Sequence, residues 1–202
     1  MKTFLVCLLL LTFSLFAVLA NNITCYKCHA RNSDYCKGED HQCPAHSGCM
    51  TLYEKLECYG SFHSIKKRCA YDLPCNITMY AYSNESIFFG LATKCCHNDH
   101  CNDGVFEIPK ISNETDGCLC PSCFAANTTE MCNAEKKTVC KGETDQCVQF
   151  IGSAKTPSGV EANFTGQGCM SKNACQFDFT TLIGIYVYNI KLLKCYDPDS
   201  EH

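Results

Sequence analysis

Short runs of apolar, β-branched and aromatic residues alternate with polar turns along most of this 202-residue chain. Runs of this kind on either side of a turn predict β-hairpins. No segment has apolar positions at a 3.6-residue period over the length of a helix, so the pattern predicts an all-β chain. The last run, residues 182–188, is predicted to lie in a final hairpin. The runs are residues 50–53, 64–67, 77–82, 87–89, 148–151, 162–165 and 182–188.

The first twenty residues differ from the rest because residues 4–19 form an almost unbroken apolar run after the positive Lys2. The run is short and a polar chain follows it, which predicts a secretory signal peptide at residues 1–20 rather than a transmembrane helix. Residues 194–202 are polar and lack the hydrophobic tail that directs a lipid anchor. We therefore expect a secreted, extracellular protein without a membrane anchor.

Cysteine accounts for 21 of the residues, which in a short chain indicates a disulfide scaffold. Eight cysteines of the first half recur 95 to 100 residues later, so the chain is predicted to hold two copies of one unit. We place domain 1 at residues 21–103, a linker at 104–117 and domain 2 at 118–202. The repeated positions are Cys25, Cys28, Cys36, Cys43, Cys49, Cys69, Cys75 and Cys95, followed by Cys120, Cys123, Cys132, Cys140, Cys147, Cys169, Cys175 and Cys195.

Charged residues make up 19% of the chain and the net charge is −4, a balance that disfavours a disordered tail or a nucleic-acid-binding protein. Six N-x-S/T sequons agree with secretion and predict a glycoprotein. The glycosylation sites so predicted are Asn22, Asn76, Asn84, Asn113, Asn127 and Asn163.

Two C-x-x-C pairs could in principle hold zinc or act in redox chemistry. Every cysteine of these pairs has a place in the repeat, however, and this favours disulfides over a metal site. His97 and His100 fall in a short loop between cysteines and are interpreted as surface histidines, although a weakly shared metal stays open. No nucleophile motif is present. We expect no catalytic residue, no cofactor and no enzyme activity.

Cys58 and Cys118 have no counterpart in the other copy. They could pair with each other, pair between two chains or stay free, and an odd cysteine in each domain of a secreted protein favours pairing. The leading hypothesis is a Cys58–Cys118 bridge, with a covalent dimer as the next alternative.

The first unit begins with Cys25-x-x-Cys28 and closes with Cys95-Cys96, four residues, and then Cys101-Asn102. This pattern resembles the urokinase-receptor/lymphocyte-antigen (uPAR/Ly-6) family of three-finger, snake-toxin-like domains. The second unit resembles the same fold but lacks the closing Cys-Cys-x4-Cys-Asn. The resemblance implies that Asn102 ties the end of domain 1 to its first strand. It also implies the bridges Cys25–Cys49, Cys28–Cys36, Cys43–Cys69, Cys75–Cys95, Cys96–Cys101, Cys120–Cys147, Cys123–Cys132, Cys140–Cys169 and Cys175–Cys195.

Two such domains in tandem look similar to the gamma-type phospholipase A2 inhibitors and to the amphibian sodefrin-precursor-like factors. The resemblance implies a non-enzymatic binding protein whose partner is a secreted phospholipase A2. A pheromone-like signalling ligand and a soluble modulator of a cell-surface receptor are the alternatives. Fold alone does not choose among these partners. Whether the chain forms a homo-oligomer also stays open.

The partner surface can be narrowed by excluding regions that glycans would cover. Asn76 and Asn84 would shield the third finger of domain 1, and Asn163 would shield the second finger of domain 2. About half of the remaining apolar residues are expected to be ordinary core, and the rest to form contacts. His63, Lys66, Lys67 and Arg68 are interpreted as a solvated strand face. The candidate partner surface comprises Phe179, Leu182, Ile183, Ile185, Tyr186, Tyr188, Val105, Phe106 and Ile108.

Overall fold

The structure is a computed structural model that describes residues 22–198 except 45, 59, 72–73, 85–86, 116, 156–158, 160, 173, 180–181 and 183. The expected signal peptide and Ile183 lie outside the described residues. The prediction of an all-β, disulfide-rich chain is confirmed, since the described regular elements are eleven strands and one 3-10 turn at Ala174–Gln176. The strands are β1 Thr24–Arg31, β2 Glu39–Gln42, β3 Gly48–Glu57, β4 Ser61–Ala70, β5 Thr78–Ser83, β6 Ile87–Cys96, β7 Leu119–Ala126, β8 Lys136–Val139, β9 Gln146–Lys155, β10 Glu161–Met170 and β11 Tyr186–Tyr196.

Each domain is an antiparallel sheet of hairpins that project from a disulfide-rich base. Domain 1 has the strand order β2-β1-β4-β3-β6-β5, and domain 2 has the order β8-β7-β10-β9-β11. The central hairpins β3/β4 and β9/β10 each pair over ten residues. This arrangement gives domain 1 three fingers, formed by β1/β2, β3/β4 and β5/β6.

Nine disulfides connect the strands near the bases of the two domains. In domain 1 the sulfurs of Cys25, Cys43, Cys49 and Cys69 form a fully buried cluster. Small domains bury too little apolar surface to be stable on packing alone, and such bridges stabilise them by restricting the unfolded chain. The disulfides are Cys25–Cys49, Cys28–Cys36, Cys43–Cys69, Cys75–Cys95, Cys96–Cys101, Cys120–Cys147, Cys123–Cys132, Cys140–Cys169 and Cys175–Cys195, the pairs that the family resemblance implies.

The two sheets join where β5 of domain 1 pairs with β10 of domain 2. Tyr82 pairs with Cys169 and Ala81 pairs with Met170, so all eleven strands belong to one continuous sheet. Ser171 extends the junction: its hydroxyl accepts a hydrogen bond from the Tyr80 N–H at 2.9 Å, and its own N–H donates to the Tyr80 carbonyl at 2.9 Å. The backbone is therefore satisfied across the boundary between the domains.

The largest apolar cluster of the described residues is shared by both domains. Leu52, Phe89 and Leu91 of domain 1 pack against Phe177 and Phe179 of domain 2. The Phe89 and Phe179 rings lie 6.2 Å apart, and the Phe177 and Phe179 rings meet edge to face at 5.4 Å. The sequence repeat suggested two self-contained units, but the apolar packing makes them interdependent.

The hairpin predicted around residues 182–188 is wrong, because only its second half forms a strand, β11. The described residues before it, which we name the diverted segment (174–179, 182 and 184–185), pack against domain 1, and none of them pairs with β11. The Gly184 N–H donates a hydrogen bond to the buried Glu54 carboxylate at 2.7 Å. Burial of each Phe of the segment is favourable by about 1.5–3 kcal/mol, which offsets the loss of an edge-strand ladder.

The linker also packs against both domains. Phe106 and Ile108 contact the domain 1 cluster that contains Tyr53 and Ile65. Further along, the Glu114 carbonyl accepts a hydrogen bond from the N–H of Gly142 in domain 2 at 2.8 Å. The linker therefore fixes the domains relative to each other rather than separating them.

Asn102 confirms the structural role that the resemblance implies for it. Its side-chain oxygen accepts a hydrogen bond from the Tyr26 N–H at 2.9 Å, and its amide nitrogen donates to the Tyr26 carbonyl at 2.9 Å. The same nitrogen lies 3.4 Å from the Met50 carbonyl oxygen. Asn102 is 3% exposed, so water cannot replace these partners.

We predict that Asn102→Asp destabilises the protein, because a carboxylate would face two carbonyl oxygens and leave them without a donor. The expected loss is about 1–3 kcal/mol in the free energy of unfolding, measured by denaturant unfolding with the disulfides intact. Asn98→Asp in the same exposed loop is the control, with an expected change below about 0.5 kcal/mol. Equal effects of the two substitutions would contradict the role assigned to Asn102.

We also predict that Gly168→Ala weakens the junction between the domains. A Cβ at Gly168 would overlap the backbone carbonyl of Tyr82, whereas one at Gly166 on the same strand meets its nearest atom at 3.5 Å. Overpacking of this kind costs about 1–3 kcal/mol, so thermal unfolding should shift to lower temperature. Gly166→Ala, the matched control, should leave stability unchanged or raise it by up to about 1 kcal/mol.

Candidate interaction surfaces

In the described part of the chain, cysteine sulfurs come together in two groups of three, and both groups consist mainly of disulfide sulfurs. Cys25, Cys43 and Cys69 lie within 4.8 Å of one another, and so do Cys118, Cys120 and Cys140. Cys25, Cys43 and Cys69, together with Cys120 and Cys140, belong to bridges. A bridged sulfur has no thiolate to offer a metal, and these clusters therefore lack the ligand chemistry of a zinc site.

The loop histidine His100 serves the packing of domain 1. Its Nε2 atom lies 3.0 Å from an oxygen of the Asp40 carboxylate. Its ring lies 4.7 Å from the ring of Tyr26. Asp99, beside it, accepts a hydrogen bond from the Thr24 N–H at 2.7 Å. These contacts close the end of domain 1 onto β1.

Several residues of the candidate partner surface are in fact packed inside the molecule. Phe179 is 9% exposed within the shared core, and Leu182 and Ile185 pack partly buried against the same cluster. Phe106 and Ile108 are covered by their contact with domain 1. Phe179 is therefore core, and the expectation that it faces a partner is wrong. The other four are partly buried, and their place on a partner surface stays a prediction. The burial has the same cause in each case. An apolar side chain outside a regular strand packs against an apolar face of the neighbouring domain.

Tyr186, Tyr188 and Val105 are exposed, as expected. The two tyrosines are 60% and 48% exposed, and their rings stack with centroids 5.9 Å apart. Ile190, further along β11, is also exposed, at 37%. We call Tyr186, Tyr188 and Ile190 the β11 strip. The register shift between Val187 and Asn189 breaks the two-residue alternation, so the spacing along the sequence could not have identified the third member.

The β11 strip lies on an edge of the sheet. Among the described residues β11 pairs with β9 alone, whereas its counterpart in domain 1, β6, is paired on both sides, with β3 and β5. The difference follows from the diverted segment, which in domain 2 occupies the interdomain core instead of covering this edge. Tyr188 and Lys191 are the extra residues of two register shifts along β11. Such bulges twist an edge strand and oppose nonspecific sheet pairing.

Five of the six sequon asparagines are exposed, and Asn163 is half-buried. The Asn163 side-chain oxygen accepts a hydrogen bond from the Ser153 hydroxyl at 2.7 Å. Ser153 pairs with Asn163 on one side and with Asn189 of β11 on the other. A glycan on Asn163 would therefore lie one strand away from β11. The exposed asparagines are Asn22, Asn76, Asn84, Asn113 and Asn127.

The Cys58–Cys118 bridge that was the leading hypothesis is not formed. The Cys58 thiol is free and half-buried next to the turn between β3 and β4, and burial raises its pKa. Cys118 lies at the base of domain 2, where its Sγ is 3.8 Å from the Sγ of Cys120. The two cysteines therefore belong to different parts of the molecule, a turn of the second finger in domain 1 and the disulfide cluster of domain 2.

No helix in the described part of the chain is long and apolar enough to cross a membrane. No match to the chain was found among curated protein sequences. Among solved structures it is similar to mouse TEX101, with 15% sequence identity, a TM-score of 0.37, and coverage of 86% of this chain and 99% of that one.

The match to a family model is more informative. The model described as the u-PAR/Ly-6 domain matches residues 21–104 and again residues 116–199. Each match contains one copy of the cysteine repeat and one set of β-strands. Domains of this family mediate contacts between proteins and are found in extracellular or cell-surface proteins. The chain therefore belongs to the u-PAR/Ly-6 family, of which it carries two domains in tandem.

Proposed function

We propose that this protein is a secreted, non-enzymatic binding protein that holds a protein partner along the β11 strip, and that the partner is a secreted phospholipase A2. One observation carries the proposal: two stacked, exposed tyrosines lie on an edge strand whose counterpart in domain 1 is covered. Aromatic residues are enriched at protein interfaces because they bury a large area and keep a polar group at the rim.

The open edge supports the proposal in a second way. An edge strand presents backbone N–H and C=O groups that can pair with an extended segment of a partner. The bulges at Tyr188 and Lys191 interrupt the regular ladder, so a partner has to fit the shape of this strand rather than merely supply any strand. The lysines at 191 and 194 are exposed and add positive charge beside the aromatic row.

The arrangement of the two domains supports a mechanism in which the protein inhibits its enzyme partner by covering part of the enzyme's surface. The shared core and the junction of β5 with β10 join the domains into one continuous sheet, so the strip is presented on a preorganised support. Preorganisation lowers the entropy lost on binding. The similarity to gamma-type phospholipase A2 inhibitors makes a secreted phospholipase A2 the first partner to test.

The experiment uses the secreted chain and a panel of secreted phospholipases A2. Binding is measured by surface plasmon resonance, and turnover is measured as phospholipid hydrolysis on vesicles. The expected result is a saturable complex with at least one enzyme of the panel and a lower rate of hydrolysis in that complex. If no enzyme binds and none is inhibited, the proposal fails, and a signalling ligand or a receptor modulator becomes the reading to test.

Tyr188→Ser is predicted to weaken the complex about tenfold or more, which corresponds to about 1.4 kcal/mol. The substitution removes an exposed ring without disturbing the core, so the expected cause is loss of contact with the partner. Tyr71→Ser is the matched control, because Tyr71 is 49% exposed and lies in domain 1, next to β4. A similar loss of affinity in both variants would place the contact elsewhere.

A further inference from the structure

A second surface, at the other end of the sheet, is strongly basic. β1 and β4 run antiparallel, and His29 pairs directly with Lys66. Alternate residues of a strand face the same side, so Lys27 joins His29, and Arg68 joins Lys66, on one face of the two strands. A cavity of about 460 Å³ lies between them. We call it the basic groove, and its principal lining residues are Lys27, His29, His41, Lys66, Arg68 and Tyr71.

The cations of the basic groove form no ion pair with a described carboxylate. Lys27, Lys66 and Arg68 form no ion pair within 4.0 Å with any described residue, unlike Lys55 and Lys155, whose ammonium groups lie 2.7 Å and 3.0 Å from glutamate oxygens. Two glutamates of the described chain lie close to these cations. Glu39 pairs with Lys27 across β1 and β2, and the Glu54 carboxylate already accepts the Gly184 N–H. The groove therefore keeps a surplus of positive charge.

Burial and the neighbouring positive charges both lower the pKa values of groove residues. Burial lowers the pKa of Lys66, and the neighbouring Arg68 and Lys27 lower it further, against an opposing effect of Glu54. Burial likewise lowers the pKa of His29, followed by repulsion from Arg31 and Lys66. Like charges held together without a counter-charge repel one another, and a bound anion would relieve this repulsion. The net charge of the whole chain is −4, so the excess of cations is local.

We propose that the basic groove binds a linear sulfated polysaccharide. Lys66 and Arg68 follow each other on β4 at the strand period of about 6.8 Å, and Lys27 lies on β1, about 5 Å away across the strands. This spacing suits a chain with sulfates at regular intervals. The Arg68 guanidinium lies over Tyr71, with Cζ 6.0 Å from the ring centroid. Its planar group can donate two parallel hydrogen bonds to a sulfate.

An acidic protein surface fits the groove less well. Protein interfaces depend on buried apolar anchors at their centre, and the groove offers the ring of Tyr71 and otherwise mainly cations and histidines. A sulfated sugar brings no apolar side chains and carries several permanent anions in a short length. The family to which the chain belongs is extracellular or displayed at the cell surface, where such polysaccharides are encountered.

The groove is separate from the β11 strip. Five strands lie between β11 and β4 in the sheet, so a polysaccharide and a protein partner would occupy different ends of the molecule. The inference therefore does not depend on the proposed function, and either can fail without the other.

The test titrates the secreted chain with a heparin-derived octasaccharide by isothermal calorimetry at about 0.15 M ionic strength, and again at higher salt. The expected result is saturable binding that weakens steeply as salt is added, because the ligand's counterions are released on binding. An unsulfated octasaccharide of the same length should not bind. Absence of saturable binding to the sulfated chain, or equal binding of the unsulfated one, would overturn the proposal.

Paired lysine substitutions identify the site. Lys27→Ser with Lys66→Ser should weaken binding about tenfold or more and give a shallower dependence on salt. Lys136→Ser with Lys137→Ser removes the same charge from exposed positions of β8 and should change affinity by less than about twofold. Lys27→Ser alone, at an exposed position, tests the site without disturbing the half-buried Lys66 and should still weaken binding. Equal losses in the two double variants would overturn the assignment, as would tighter binding of a poly-glutamate peptide of matched charge.

Discussion

The packing of Phe177 and Phe179 against Leu52, Phe89 and Leu91 is the interaction on which the rest of the structure depends. It turns two small disulfide-rich domains into one body with a common core. The pairing of β5 with β10 and the two hydrogen bonds of Ser171 satisfy the backbone along the same boundary. Because apolar burial and backbone pairing coincide here, neither domain can be moved without exposing the core of the other.

The same packing determines which surfaces are left for partners. The segment that could have completed a third finger in domain 2 is used to fill the interdomain core, with Gly184 bonded to Glu54. As a result, the outer edge of β11 pairs with no other described strand, and Tyr186 and Tyr188 are exposed there. The packing of the interdomain core thus leaves exposed the edge of β11, the surface that we assign to partner binding. The basic groove has a different origin, since it lies at the far side of domain 1 and follows from the pairing of β1 with β4.

The disulfides and the shared core stabilise different levels of the structure. The bridges fix strands within a domain, as in the fully buried cluster of Cys25, Cys43, Cys49 and Cys69. Every one of the nine bridges joins cysteines of the same domain. The relation between the domains therefore rests on the linker and on noncovalent contacts rather than on disulfides, and variants such as Gly168→Ala separate the two contributions.

The sequence by itself determined the strand content and the twofold repeat, because cysteine spacing, β-propensity and turn residues are local features. The role of Asn102 was implied by the resemblance to the family. The sequence also placed Tyr186 and Tyr188 among the candidate surface residues, without separating them from those that are core. Only the tertiary structure decided that Phe179 is buried and that Leu182 and Phe106 are partly buried. It also decided that Cys58 and Cys118 lie apart and that Lys27 lies beside Lys66. The reason is that these outcomes depend on which distant strands and domain faces meet, and no pattern within one segment records what will cover it.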